Sequence, residues 1–433
     1  MLKYLKYTFF VVSIFIVEQA LGQTNVNSPY SRIGIGDLQT SNGLTRNIGM
    51  GGIGVASRNP HFINLINPAL LANYRDVWQD STVKYEVGFI GIARRLSTKA
   101  SSETDVGANI NYLALAFPVN KTWAISAGLM PFSSVDHSLS HTFIIQDSTS
   151  SGATVRNTYT GSGGLYQAVI SNGVGITRNI SVGLEASYLF GNITNESFAS
   201  VISTEETGVR DRLAYKGFGF KPGVSFRKAQ LLDSIRGKTF VYSAGFTYQF
   251  YTGVNADREL TLLTQLPGGL STFDSVIVDS RGKAKLPGTY RVGFNFESVS
   301  RISVGADFSF SNWSQFSSPG ISDTLKDSYA INVGAEIYGK NKQAGTKLYR
   351  VGVMYAKTPI FLNGKQLNDI AFTLGTSLPF GEFRSSPILP KINLALVFGQ
   401  RGTFQNGLIK DQYLKAYISA TINDKWFARR RIQ

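Results

Sequence analysis

The sequence predicts an all-β fold: a transmembrane antiparallel β-barrel of about 14 strands, closed around an N-terminal hatch or plug in its lumen. Three observations predict it. Most of the chain divides into short segments that alternate apolar and polar residues. No segment after the extreme N-terminus is long and apolar enough to be a membrane helix. The connections between the alternating segments are short and long by turns.

The chain opens with Lys3 and Lys6, an apolar run from Phe9 to Val17, and Ala20-Leu21-Gly22. A positive region, an apolar core and small residues before a cleavage point make a secretory signal peptide. Residues 1–22 are therefore expected to be removed, and the mature chain to start near Gln23. The apolar run is too short for a comfortable membrane anchor, which needs roughly 20 apolar residues. The sequence has no cysteine, so neither disulfides nor thiolate chemistry contribute. In hydrocarbon, an exported chain without membrane helices satisfies its backbone polar groups only as a closed barrel.

The alternation is explicit in Arg301 to Ser311. Ile302, Val304, Ala306, Phe308 and Phe310 take one side; Ser303, Gly305, Asp307, Ser309 and Ser311 take the other. Tyr242 to Tyr251 and Tyr329 to Ile337 repeat it, and a period of two places one face in each of two environments. A soluble β-sandwich also alternates. Aromatics near the ends of the apolar faces, and Glu185, Glu297, Asp307 and Glu336 on the polar faces, favour a lipid-facing exterior and a polar lumen. The barrel is assigned to residues 81–424, followed by a basic tail, 425–433. Stretches 133–163, 191–213, 253–285 and 312–327 read as long polar loops, while the intervening connections are short turns. Short turns at one rim and long loops at the other are the habit of bacterial outer-membrane barrels. An even strand count returns both termini to the short-turn, periplasmic side.

Residues 23–80 hold no strand pattern. They are rich in glycine, as a compact segment inside a narrow lumen would be. Gly49-Met50-Gly51-Gly52-Ile53-Gly54 matches a dinucleotide fingerprint by letters, but no strand precedes it and no βαβ unit follows. Asp136-His137-Ser138 and His141, in a predicted loop, do not make a nucleophile–base–orienter set, so no catalytic residue, metal site or cofactor is expected.

The run Arg46-Asn47-Ile48-Gly49-Met50-Gly51-Gly52-Ile53-Gly54-Val55-Ala56, followed by Ile66-Asn67-Pro68-Ala69-Leu70-Leu71, resembles the hatch signature of the FadL/TodX hydrophobic-compound transporters. The resemblance implies a fourteen-stranded barrel whose hatch includes Gly49, Gly51, Gly52, Gly54, Asn67, Pro68 and Ala69. It implies passive uptake of a long-chain fatty acid-like, hydrophobic small molecule. It also implies lateral exit at an irregularity in the third strand, where Gly128, Met130, Pro131 and Phe132 are the candidates. Pro131 cannot donate to a ladder, so it marks either a kink or the end of that strand. Relatives of the PorV type share the signature and serve protein secretion, so a partner barrel in an outer-membrane secretion or assembly complex is the other reading.

The formal net charge is +15, with Arg75, Arg94, Arg95, Lys99, Arg210, Arg212 and Arg429-Arg430-Arg431 prominent. On an outer-membrane surface this points away from nucleic acid. It points instead to lipid and lipopolysaccharide phosphates at the rims, or simply to solvated loops.

Overall fold

The computed structural model describes residues 26–39, 43–59, 61–76, 82–147, 150–201, 206–233, 238–265, 272–299, 301–339, 347–380 and 389–425. The signal peptide, its cleavage point and nearly all of the basic tail lie outside these residues.

The first described stretch is an inner segment. It contains a 3-10 turn at Pro29–Arg32, a two-residue strand β1 (Asp37–Leu38), a short helix α1 (Thr45–Gly49) and a 3-10 stretch at Pro68–Asp76. Long strands follow: β2 (Thr82–Ser97), β3 (Ser102–Pro118), β4 (Trp123–Asp147), β5 (Ser150–Gly175), β6 (Ile180–Val201), β7 (Glu206–Asp233), β8 (Lys238–Gln265) and β9 (Thr272–Lys283). Shorter strands complete the chain: β10 (Thr289–Ser298), β11 (Ile302–Ser311), β12 (Ser328–Tyr338), β13 (Leu348–Leu362), β14 (Lys365–Pro379), β15 (Lys391–Arg401) and β16 (Lys410–Lys425). β1 pairs only with β4, and β9 only with β8. The other fourteen close into one antiparallel barrel, sealed by β16 against β2 from Lys410↔Ser97 to Lys425↔Thr82.

The barrel is inside out relative to a soluble protein. On β11, Ile302, Val304, Ala306 and Phe308 are exposed, while Ser303, Gly305 and Asp307 are buried. Phe308 is 46% exposed and its neighbour Asp307 only 8%. Strand after strand repeats the inversion, with Ile331, Val333, Val353, Phe372 and Leu396 outside. Water would penalise such a surface, and hydrocarbon would not. Exterior aromatics stack at two levels. Tyr248 and Tyr290 pair at 4.4 Å on the long-loop side, and Tyr242 and Phe296 at 5.3 Å on the short-turn side. The two levels are six residues apart on β8, about 20 Å at the usual strand rise.

The alternating segments Tyr242 to Tyr251, Arg301 to Ser311 and Tyr329 to Ile337 fall on β8, β11 and β12, but three predicted loops are corrected. Stretches 133–163, 191–213 and 253–285 are largely strand, because β4 to β8 are 22 to 28 residues long and turn back as paired hairpins. A membrane strand needs only roughly 9–11 residues. Beyond that length the outward face meets water instead of lipid and need not be apolar, so the alternation that marks a membrane strand weakens even though inward residues such as Ile193, Leu213, Val254 and Leu263 stay buried. Cross-strand ion pairs take over there, such as Arg210–Glu196 at 2.6 Å and Arg258–Asp211 at 2.7 Å. His137, assigned above to a loop, is a β4 residue buried with its ring against Gly161.

Candidate functional site

The lumen is occupied by the inner segment, and its seat is built from absent side chains. From β5 round to β14, each strand of the barrel turns a glycine toward the segment. A methyl added at Gly334 would strike the Met50 carbonyl, one at Gly352 the Gly51 nitrogen, and one at Gly245 the Val55 carbonyl. Gly183 meets Pro68 and Ala69 in the same way. Backbone thus lies directly on wall. The segment bends to fit because α1 stops at two left-handed residues, Gly51 (φ +69) and Gly52 (φ +76), a conformation that other residues adopt only at a cost.

Gly49, Gly51, Gly52, Gly54, Asn67, Pro68 and Ala69 are all buried inside the barrel. Thr373 of β14 accepts from Gly51 N at 2.9 Å and donates to Gly49 O at 3.1 Å. Asp307 accepts the Gly54 and Val55 N–H groups at 2.7 and 2.9 Å. Asn67 donates to two backbone carbonyls, Val55 at 2.8 Å and Val224 at 3.1 Å, and accepts from Ala69 N at 3.0 Å. It thus bonds to neither Glu185 nor Asp307. Asp307 is engaged as above, and Glu185 pairs with Lys221 at 2.8 Å while Lys221 also donates to Leu65 O.

Two ionic knots fix the segment. In the first, Glu336 of β12 is fully buried and accepts Arg46 on both oxygens at 3.1 Å, Arg350 at 2.6 Å and Asn59 at 2.9 Å. Phe62 lies beside it, with Arg46, Arg350 and Lys391 centred 5.5, 5.1 and 4.9 Å from its ring. In the second, Asp37 receives Arg401 at 2.7 and 3.2 Å, and Arg401 and Arg94 both reach Asp411. Burial alone would raise the Asp37 carboxyl, but Arg401 and Arg94 win and hold it well below the usual carboxylate range. Arg94, expected at a rim, is therefore a lumen residue. The separations, 290 residues for Arg46–Glu336 and 364 for Asp37–Arg401, left no local signal for either knot.

One sector of the wall is different. β3 and β4 pair only from Pro118↔Ala124 to Leu113↔Leu129, although both strands continue. β3 is bulged at Asn111, where its register with β2 shifts, and β4 shifts against β5 between Pro131 and Ser133. Pro131 is thus an irregularity inside β4 and not its end. The β4 edge that β3 leaves is covered by the inner segment. Gln39 N donates to Phe132 O at 3.1 Å, and β1 pairs with Ser133 and Ser134. Ser31 exchanges bonds with Asp136 N and O, and the Asn27 amide with Ser138 N and O. Asn27 N also donates to Asp105 of β3 at 2.6 Å, so this one residue spans the break. Gly128 lies in the paired part, against Leu65, and Met130 and Pro131 line a small void at the break with Leu44, Ile48 and Tyr112.

Phe132 faces a cavity of about 130 Å3 on the long-loop side of the segment. Tyr251, edge-on to Phe132 at 5.6 Å, lines it with Ile33, Leu286, Trp313, Leu325 and Ile360. A second cavity of about 130 Å3 opens on the other side of Leu38 and Gln39, toward the break, and is lined by Arg94, Asn109, Val135, Asp369 and Lys415. Among the described residues no group of three or more His, Cys, Asp or Glu side chains is placed to hold a metal.

A closed barrel with hydrophobic side chains outward, ionic knots inward and an N-terminal segment seated in its lumen is a membrane-spanning β-barrel of the fourteen-stranded, internally filled kind. The family model described as BamG matches residues 1–433, so the chain belongs to the BamG family. The fold is that of the CymD monoaromatic hydrocarbon channel (TM-score 0.56, 14% identity, covering 92% of this chain and 100% of that one). It is shared by the toluene transporter TodX of Pseudomonas putida (0.54, 15%, 88% and 98%) and by a Pseudomonas aeruginosa FadL homologue (0.53, 13%, 93% and 99%). Among curated proteins no sequence match is found.

Proposed function

We propose that the protein is an outer-membrane barrel for passive uptake of hydrophobic small molecules, with the inner segment as its plug. Ligand enters the apolar cavity from the long-loop side, passes Leu38 and Gln39, and leaves sideways between β3 and β4. The observation that carries this reading is the position of the cavity. Ile33, Leu286, Trp313, Leu325 and Ile360 give it an apolar side beside polar groups such as Arg291 and Arg401, it stands behind the shortest ladder of the barrel wall among the described residues, and Leu38 and Gln39 separate it from the second cavity there. A dry apolar cavity of roughly 150 Å3 accommodates a single aromatic ring, so a cavity of this size suits a monoaromatic or one end of an acyl chain. The similarity to the hydrocarbon channels and the FadL homologue agrees with it. On this reading the short-turn rim, where β2 begins and β16 ends, is periplasmic.

The test is uptake of labelled toluene and of a labelled long-chain fatty acid by cells carrying the protein. Leu325→Trp, which fills the cavity, and Pro131→Val, which restores a ladder N–H, should each lower uptake of at least one of them. Uptake unchanged in both variants overturns the reading.

One observation favours a second reading, a partner barrel in a secretion or assembly complex. The paired wall from β4 to β9 stands well beyond the hydrophobic band and offers another protein a broad polar sheet. Mass spectrometry of the complex purified from membranes separates the two, since stoichiometric protein partners belong to the second.

A further inference from the structure

The outward face of the barrel carries charge at its long-loop rim, and two sectors of that rim treat it differently. On β6 to β8 cations face acids: Arg210 meets Glu196 at 2.6 Å and Lys216 meets Asp257 at 3.4 Å. On β14, β16 and β2 the outward cations have no acid opposite them among the described residues. Arg95, exposed on β2, stands between Gln412 and Thr104, and Lys410 of β16 stands opposite Ser97. Lys99 is exposed on the β2–β3 turn, and Lys365 of β14 reaches the β15–β16 loop by donating to Gln405 at 2.6 Å. Reciprocal bonds between Asn363 and Asn406 tie that loop to the β13–β14 turn, so the cations share one braced ledge. Arg95 and Lys410 are held by neutral groups, the Ser102 hydroxyl at 3.5 Å and the Phe404 ring at 5.4 Å, which position the side chains and leave their charge uncancelled. The acids of these strands, Glu103, Asp105 and Asp411, share the lumen-side register of Leu96 and Arg94.

We propose that this ledge binds the phosphates of a phosphorylated glycolipid in the outer leaflet, whose acyl chains lie on the apolar face below. Charge complementarity sets the sign of the occupant, and the order of residues along the strands sets its class. Beneath the ledge the outward positions turn apolar, with Phe89, Phe398, Leu414 and Ile418 exposed. β2 ends at Ser97, so the ledge stands at the margin of this band, unlike the tall wall from β4 to β8. An acidic protein loop would match the ledge but not the band; an amphiphile with an anionic head matches both. From β14 to β2 the cations span about 14 Å at the usual strand spacing, which suits a headgroup with more than one phosphate. Forked guanidinium and mobile ammonium groups both bind phosphate oxygens. The proposal rests on the reading that the long-loop rim faces out of the cell.

The experiment is native mass spectrometry of the full-length protein released from detergent micelles with added diphosphoryl lipid A. Wild type should carry a bound lipid A. Arg95→Gln/Lys410→Gln should retain it about fivefold or more weakly, and Arg95→Lys/Lys410→Arg about as well as wild type, with the difference shrinking as salt rises. Lipid A stripped of its phosphates should behave toward wild type as lipid A does toward the Gln pair. A gel-mobility shift on boiling shows that each variant is folded; if the Gln pair is not, Lys99→Gln, on the exposed turn, replaces it with the same expectation in smaller degree. Equal retention by wild type and the Gln variants overturns the proposal, and so does a preference for phosphatidylglycerol over lipid A. The facing of the rim is tested separately. The chain has no cysteine, so Lys99→Cys alone can take a membrane-impermeant maleimide, and it should do so on intact cells. Labelling only after lysis overturns the outward reading of this rim, and with it the outer-leaflet source, whatever the micelle result.

Discussion

The inner segment meets the barrel in two ways, and the two are not equivalent. From β5 to β14 it lies on a glycine wall, backbone against backbone, locked by the Glu336 knot. Between β3 and β4 it is held by a row of edge hydrogen bonds to Phe132, Ser133, Ser134, Asp136 and Ser138, with Asn27 as the link across the break. The first contact has no lower-energy substitute inside the barrel: if the segment leaves, cations and glycines are uncovered together. Beside the Asp37 knot, the second consists of bonds that water can replace one by one, each worth about 0.5–1.5 kcal/mol net. The molecule is thus built to keep its filling and to loosen at one seam.

The most severe way to break this comparison is to remove the segment. A chain lacking residues 28–70 should conduct ions in planar bilayers far better than the full-length protein; conductance no higher than wild type would mean that the segment is no plug. Next comes the knot. Glu336→Gln leaves Arg46 and Arg350 buried without their carboxylate and should cost about 3–5 kcal/mol, read as a lower denaturant midpoint. A loss below 1 kcal/mol would show that the glycine wall alone holds the segment.

A smaller effect is expected from Gly334→Ala, about 1–3 kcal/mol, because the new methyl meets the Met50 carbonyl. Gly91→Ala, on β2 outside the glycine wall, finds only the Ala416 carbonyl at 4.0 Å and should be nearly silent. Equal costs would erase the distinction. Asn27→Ala should change stability little, under about 1 kcal/mol, yet ligand passage or leak current should rise. The same edge should resist acid. The contribution of Asp37 is present above the ordinary carboxylate pKa and is lost only as pH falls through its depressed folded value. Protease cleavage near the segment should therefore be no greater at about pH 4 than at pH 7.

Which of these features could be read in the sequence follows from their range. Phe308 and Asp307 announce a two-faced strand because the signal is local, and the fourteen spanning strands follow from it. The outer halves of β4 to β8 were invisible because an outward face in water need not be apolar, and without an apolar outer face no two-sided period marks the strand. The glycines at 245, 334 and 352 advertise room, but only the folded chain shows which backbone takes it. Pro131 is visible as a fault in pairing, yet whether the strand stops or runs on depends on β5, which holds β4 to Asp147. Arg46 and Glu336 carry no mutual signal at all.

The seam between β16 and β2 joins the last strand of the chain to the first strand of the ring. Once that seam is paired, the inner segment, tied to β12, β13 and β15 by the Glu336 and Asp37 knots, stands inside a ring whose fourteen strands leave no open edge for it to slip past. To leave, it must either strip buried charges from their partners or wait for the ring to open, so its residence is governed by the stability of its container.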